Sequence, residues 1–205
     1  MTTTEAPFAL ISSFYDELVA KHGDDPRSCD YGSSRSQAVK FDVIADAADL
    51  TGLSVLDVGC GLAHFADHLE RRYPGVEDAG IDLSPQMIAQ ARARRPDLRL
   101  EVGNLLDYDL GRRFDVVVAN GIFYLLGPEA PVLLRSLVTR MWSLADQLVA
   151  FTTLSTWAPE HHAGEFQADP LDTLGFCRTL TPRITLRHDY MPHDFTVFLH
   201  REPAA

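Results

Sequence analysis

The sequence predicts an α/β protein built as a doubly wound parallel sheet, and three observations carry that expectation. Short apolar runs alternate with helical segments from about residue 53 to residue 154. The first run is followed at once by a glycine turn, Gly59-Cys60-Gly61. The second run ends in Asp82, 21 residues after Gly61, close to the spacing at which a βαβ unit sets a carboxylate against ribose hydroxyls.

The elements follow in order. An amphipathic helix is predicted near Pro7 to Lys21, then a polar loop to about Ser34 and a second helix through Leu50. The core then alternates as strand 53–58, helix 63–72, strand 76–82, helix 84–94 and strands 98–102 and 114–119. Ser84 followed by Pro85 marks a capped helix start directly beyond Asp82. A helix over Glu129–Ala145 leads to a strand over Leu148–Leu154, a polar segment from Ser155 to Asp169 and a short helix to Leu180. Ile184–Tyr190 and Phe195–His200 are close enough to form a hairpin around Met191–Asp194.

Gly59 and Gly61 remove Cβ atoms where a ligand approaches the backbone, and glycine tolerates the left-handed conformations such turns require. A dinucleotide fingerprint wants a third glycine at position 64, where this chain has His64, which argues against NAD or FAD. Asp57, just before the turn, repels a pyrophosphate but suits a cationic amine or sulfonium.

Four segments in order, Val55–Gly61, Gly80–Ile88, Val102–Leu105 and Phe114–Asn120, resemble the class I S-adenosylmethionine-dependent methyltransferases. The resemblance implies a Rossmann-like seven-stranded sheet, mostly parallel, with a C-terminal antiparallel hairpin strand. It implies that Gly59 and Gly61 flank the methionine part of the cofactor and that Asp82 holds both ribose hydroxyls; Asp57, on its charge, is counted with the cofactor-binding residues. Leu83 and Met87 then line the adenine and Asn104 lies near its amino group; Leu105 and Asn120 complete the cofactor-binding set, Asn120 opening a segment where the family often carries residues near the transferable methyl. Asn104 replaces the aspartate often found there and keeps an amide oxygen that accepts a hydrogen bond.

Length and composition fit a single domain over residues 1–205, with 1–52 expected as a helical cap over the cofactor site. A net charge of −11 repels polyanions, so nucleic acid is not an expected partner. Arg92, Arg94 and Arg95 are read as a solvated helix end that complements the dipole. Three widely spaced cysteines suggest reduced thiols, and the histidine spacing gives no metal site. No secretion signal or membrane-length apolar run is evident, so a cytoplasmic location is expected by default.

The acceptor site is expected in loops beyond the carboxyl ends of the strands. Tyr124 and His162 are the catalytic candidates; Tyr15, Tyr31, Gln37, His161 and His193 are the substrate candidates. Asp189, Tyr190 and Asp194 are read as stabilising the last hairpin turn. The functional expectation is methyl transfer from S-adenosylmethionine to a small molecule, possibly in secondary metabolism. The alternatives are a non-catalytic S-adenosylmethionine-binding protein, an NAD-dependent oxidoreductase and an enzyme that transfers an aminopropyl group from decarboxylated S-adenosylmethionine.

Overall fold

The computed structural model describes residues 5–201. Seven strands, β1 (Ser54–Val58), β2 (Glu77–Asp82), β3 (Arg99–Val102), β4 (Phe114–Asn120), β5 (Ala145–Leu154), β6 (Ile184–Arg187) and β7 (Asp194–His200), form one sheet of order β3-β2-β1-β4-β5-β7-β6. Every pairing is parallel except those of β7 with β5 and β6, so β7 alone runs against the rest. The expected mostly parallel seven-stranded sheet with an antiparallel C-terminal strand is what forms.

Helices α1 (Glu5–His22), α2 (Ser34–Ala45), α3 (His64–Arg72), α4 (Pro85–Arg94), α5 (Ala130–Leu144) and α6 (Pro170–Cys177) cover both faces. On one face Leu134, Leu137, Val138 and Met141 of α5 bury against Val117, Ala119, Val149 and Phe151. On the other, Phe41 and Ile44 of α2 and Phe65 and Leu69 of α3 bury against Val55, Val116, Val118 and Ala150. Burial of such apolar side chains on both faces, each contributing about 1.5–3 kcal/mol, holds the strand ends at fixed positions.

Caps fix where several helices begin. Met87 N–H donates to Ser84 Oγ at 3.0 Å and Pro85 takes the first helical position, so α4 starts directly beyond Asp82 as expected. Ser33 caps α2 by accepting from Ser36 N–H at 3.1 Å.

Several boundaries differ from expectation. α2 stops at Ala45 rather than Leu50, because the Asp46 and Ala47 amides fold back to Asp42 and Ile44 and Gly52 turns the chain at φ +71. β5 begins at Ala145 rather than Leu148, since a register irregularity between Phe114 and Val116 lets Ala145 pair with Phe114. α6 stops at Cys177, and the Thr179 and Leu180 amides close the following turn. β6 ends at Arg187; His188 instead contacts Ser155 Oγ at 2.8 Å and stacks between Trp157 and Phe195.

The arginines of α4 are anchors rather than a solvated face. Arg94 and Arg95 both engage Asp67 of α3, and Arg94 also donates to the Leu62 carbonyl. Arg92 donates to the Leu100 carbonyl.

Candidate active site

The glycine turn is pinned to the end of β2 by backbone and side chain together. Gly59 N–H donates to Ile81 O at 2.8 Å, and Gly61 N–H donates to Asp82 Oδ2 at 2.8 Å. Asp82 Oδ1 accepts Ser84 N–H, also at 2.8 Å. Each Asp82 oxygen keeps a lone pair for a further donor. Burial pushes the Asp82 carboxyl above the usual carboxylate range, opposed by the amides it accepts.

Gly59 and Gly61 have φ +74 and +51, in the left-handed region. A Cβ on Gly59 would lie 2.4 Å from Ile122 Cγ2, and one on Gly61 would lie 2.9 Å from Cys29 Sγ. The close approach that requires these glycines is therefore, in part, to neighbouring side chains of the protein itself. Asp57 is 6% exposed; burial, then the nearby Asp82 charge, pushes its carboxyl up to about 7.

The turn opens into a cavity of about 650 Å³, within the range of small-molecule sites. Asp57, Gly59, Gly61, Asp82, Leu83, Met87, Asn104, Leu105 and Asn120 all line it. So do Tyr15, Tyr31, Gln37, Tyr124, His162 and His193. His161 does not, and it is exposed. The Asn104 amide is partly committed, its Oδ1 accepting Leu106 N–H at 3.1 Å and its Nδ2 donating to Asp107 at 3.3 Å.

The segments before β1 form one wall. Tyr15 of α1 lies 3.0 Å, hydroxyl to hydroxyl, from Tyr124 in the loop after β4, and Tyr124 donates to Asp30 Oδ2 at 2.6 Å. Burial holds both phenols well above the ordinary tyrosine value, so they stay protonated at neutral pH. Tyr124 is thereby a hydrogen-bonding group rather than a proton acceptor. Gln37 Nε2 meets His64 Nδ1 at 3.2 Å, and His64 Nε2 meets Asp24 at 2.7 Å, so the residue that replaces the third glycine ties the cap to α3.

The opposite wall was read only in part from the sequence, through His162 and His193. Asp194, expected to stabilise a turn, is the first residue of β7 and is 1% exposed. Its Oδ2 lies 2.8 Å from Lys40 Nζ of α2 and 3.3 Å from His193 Nε2. Thr153, Glu160 and Glu165 also line this wall. Phe166 N–H donates to the Tyr124 carbonyl at 2.8 Å, and Ser155 and Ala168 form a bridge, so residues 155–168 are a loop closed at its base. No sequence period marks this loop, and Lys40 and Asp194 are 154 positions apart. Among the described residues no group of three or more His, Cys, Asp or Glu is arranged to hold a metal ion.

The strand order, the single reversed strand and the glycine turn facing an acid at the end of β2 define a class I methyltransferase fold. Residues 55–141 match the family described as a methyltransferase domain. It is 36% identical over 87 residues to a dTDP-3-amino-3,4,6-trideoxy-alpha-D-glucopyranose N,N-dimethyltransferase of Streptomyces venezuelae, covering 38% of this chain and 36% of that one. It is 36% identical over 134 residues to magnesium-protoporphyrin O-methyltransferase of Rhodobacter capsulatus, covering 62% of this chain and 56% of the relative. The chain thus spans about a third to a little over half the length of these curated relatives. The solved structure of a DhpI–SAH complex superposes with TM-score 0.73 over 98% of this chain and 100% of that one, at 15% identity.

Proposed function

We propose that this protein is an S-adenosylmethionine-dependent methyltransferase acting on a small molecule. The observation that carries the reading is the Asp82 carboxylate, locked by two backbone amides beside the Gly59–Gly61 turn and opening into the cavity. Asp82 retains acceptor capacity for ribose hydroxyls, Leu83 and Met87 offer an apolar surface for adenine, and buried Asp57 offers negative charge to a cationic methionine end. Asn120 supports the fit: its Oδ1 accepts the Thr152 hydroxyl at 2.7 Å, while its buried Nδ2 has no partner. An unpaired buried donor costs about 1–3 kcal/mol, which a ligand acceptor offsets.

The cofactor, when bound, supplies an electrophilic methyl group on sulfonium. The chain's own contribution is alignment and exclusion of water by α1, α2 and the loop 155–168. We read residues 1–205 as a single domain with 1–52 as its cap, and the partner as a small-molecule acceptor rather than nucleic acid. Among the described residues no helix is long and apolar enough to cross a membrane. A cytoplasmic setting is part of the same proposal.

Calorimetric titration of S-adenosylmethionine, S-adenosylhomocysteine and NAD tests the reading. Micromolar binding of the first two, with none of NAD, is expected. Silence with both, or binding of NAD alone, overturns it.

A further inference from the structure

The cavity wall is strongly biased in charge. Six carboxyl groups line it, from Asp30, Asp57, Asp82, Glu160, Glu165 and Asp194, and no arginine does. Lys40 is the one lining lysine, and Asp194 neutralises it at 2.8 Å. An anionic acceptor therefore finds no unpaired cationic side chain among the lining residues.

Asp57 and Asp82 belong to the cofactor end, Asp30 accepts from Tyr124 and Asp194 is paired with Lys40, which leaves Glu160 and Glu165 on the loop at the other end. Among the described residues neither carboxylate has a side-chain or backbone partner, and Glu165 is half-buried beside the Phe166–Tyr124 backbone bond. A separate observation points to a ligand at the same wall. Thr153 is 1% exposed and lines the cavity, yet its Oγ1 has no hydrogen-bond partner. A buried hydroxyl without a partner costs free energy that a ligand N–H offsets. Thr153 pairs with Phe195 across the β5–β7 ladder, one residue from the Leu154–Asp194 pair, so it sits at the acceptor end.

We propose that the methyl acceptor is an amine carried on a partly apolar frame, recognised as its ammonium by Glu165 and Glu160 and held by the Thr153 hydroxyl. The inference rests on the methyltransferase reading and names its substrate class. Phe41, Ile122 and Leu154 supply the apolar surface for the frame. An ammonium must lose a proton before its nitrogen acts as a nucleophile. The N–H bond breaks, the proton passes to the imidazole of His162 or His193 on the same wall, and the electron pair stays on nitrogen.

The test is calorimetric titration of benzylamine, benzyl alcohol and benzoate, three probes of similar shape and different charge, into the protein saturated with S-adenosylhomocysteine. Benzylamine is expected to bind about tenfold more tightly than the other two. Glu165→Gln is expected to erase most of that preference while leaving benzyl alcohol binding and S-adenosylhomocysteine binding as they were. Equal or tighter binding of benzoate or benzyl alcohol, no binding of benzylamine, or an unchanged preference in Glu165→Gln overturns the inference. The same three titrations without S-adenosylhomocysteine separate it from the cofactor reading. An amine preference in a protein that ignores S-adenosylhomocysteine would retain the charge argument and defeat the parent reading.

Discussion

Asp82 Oδ2 accepts the Gly61 amide at 2.8 Å, so the acid proposed to hold the ribose also fixes the turn proposed to hold the methionine end. Asp82→Ala removes both roles at once. Hydrogen bonds to a charged group contribute about 1.5–3 kcal/mol, so S-adenosylmethionine affinity is expected to fall roughly 10- to 100-fold. The variant also frees the Ser84 amide from Asp82 Oδ1, but the cap itself, Met87 N–H to Ser84 Oγ, and Pro85 at the first helical position do not use the carboxylate, so α4 remains formed and the far-ultraviolet circular dichroism is retained. Full affinity in the variant would place the ribose elsewhere.

Asp57 is expected to make cofactor binding pH-dependent. Its carboxyl is raised by burial from 3.8 to about 7 in the folded protein, so between these values the native state holds a proton that the unfolded chain has released. Its contribution to stability is therefore full below about pH 4 and is lost as pH rises toward 7. A cationic cofactor favours the ionised form, so binding near pH 6 releases a proton. The calorimetric enthalpy should then vary with the buffer's ionisation enthalpy, and that dependence should shrink in Asp57→Asn.

Lys40 and Asp194 join α2 to β7 as a buried ion pair, with side-chain exposures of 13% and 1%. Asp194→Asn leaves an ammonium without its counter-charge and is expected to cost about 3 kcal/mol or more. For a chain of this size that lowers Tm by on the order of 6–12 °C. The double change Lys40→Met with Asp194→Leu should lose much less. A thermal melt of the two variants separates a structural pair from a chance contact.

Tyr124→Phe cuts the Tyr15–Tyr124–Asp30 chain but removes no proton acceptor, because burial keeps the phenol protonated. Loss of about 1 kcal/mol of hydrogen bonding should raise KM roughly fivefold, with the shape of the kcat pH profile unchanged. A shifted profile would return Tyr124 to the role of base.

The cavity wall around the Gly59–Gly61 turn was legible in the sequence because its signals are local. Gly59, Gly61 and Asp82 fall within one βαβ unit, where short spacing dictates what meets what, and all nine residues assigned there line the cavity. The rest of the wall was legible only in part, since Tyr15, Tyr31, Gln37, Tyr124, His162 and His193 line it and His161 does not. Lys40, Thr153 and Asp194 meet only because α2 and the ends of β5 and β7 converge, and the loop carrying Glu160, His161, His162 and Glu165 has no period to tell an inward residue from an outward one. The end of α2 was misjudged for a related reason. Asp46 to Gly52 contains residues that tolerate a helix, and the turn is set by the Gly52 backbone at φ +71.

Gly59 also illustrates how a correct residue can be chosen for an incomplete reason. A valine at position 59 would block a ligand at the turn, yet its side chain would first strike Ile122. Loss of binding in that variant would report a displaced loop after β4 as readily as a filled pocket, which makes Asp82 the cleaner probe.

The reversed direction of β7 carries an evolutionary implication. Because that strand starts where its parallel neighbours finish, Asp194 and His193 enter the cavity from a hairpin outside residues 55–141, and Lys40 enters from upstream of them. The chain's two flanks can thus drift toward new acceptors while the segment between them stays under one unchanging demand, and a library confined to positions 30–40 and 153–194 would explore new chemistry without disturbing the turn at Gly59.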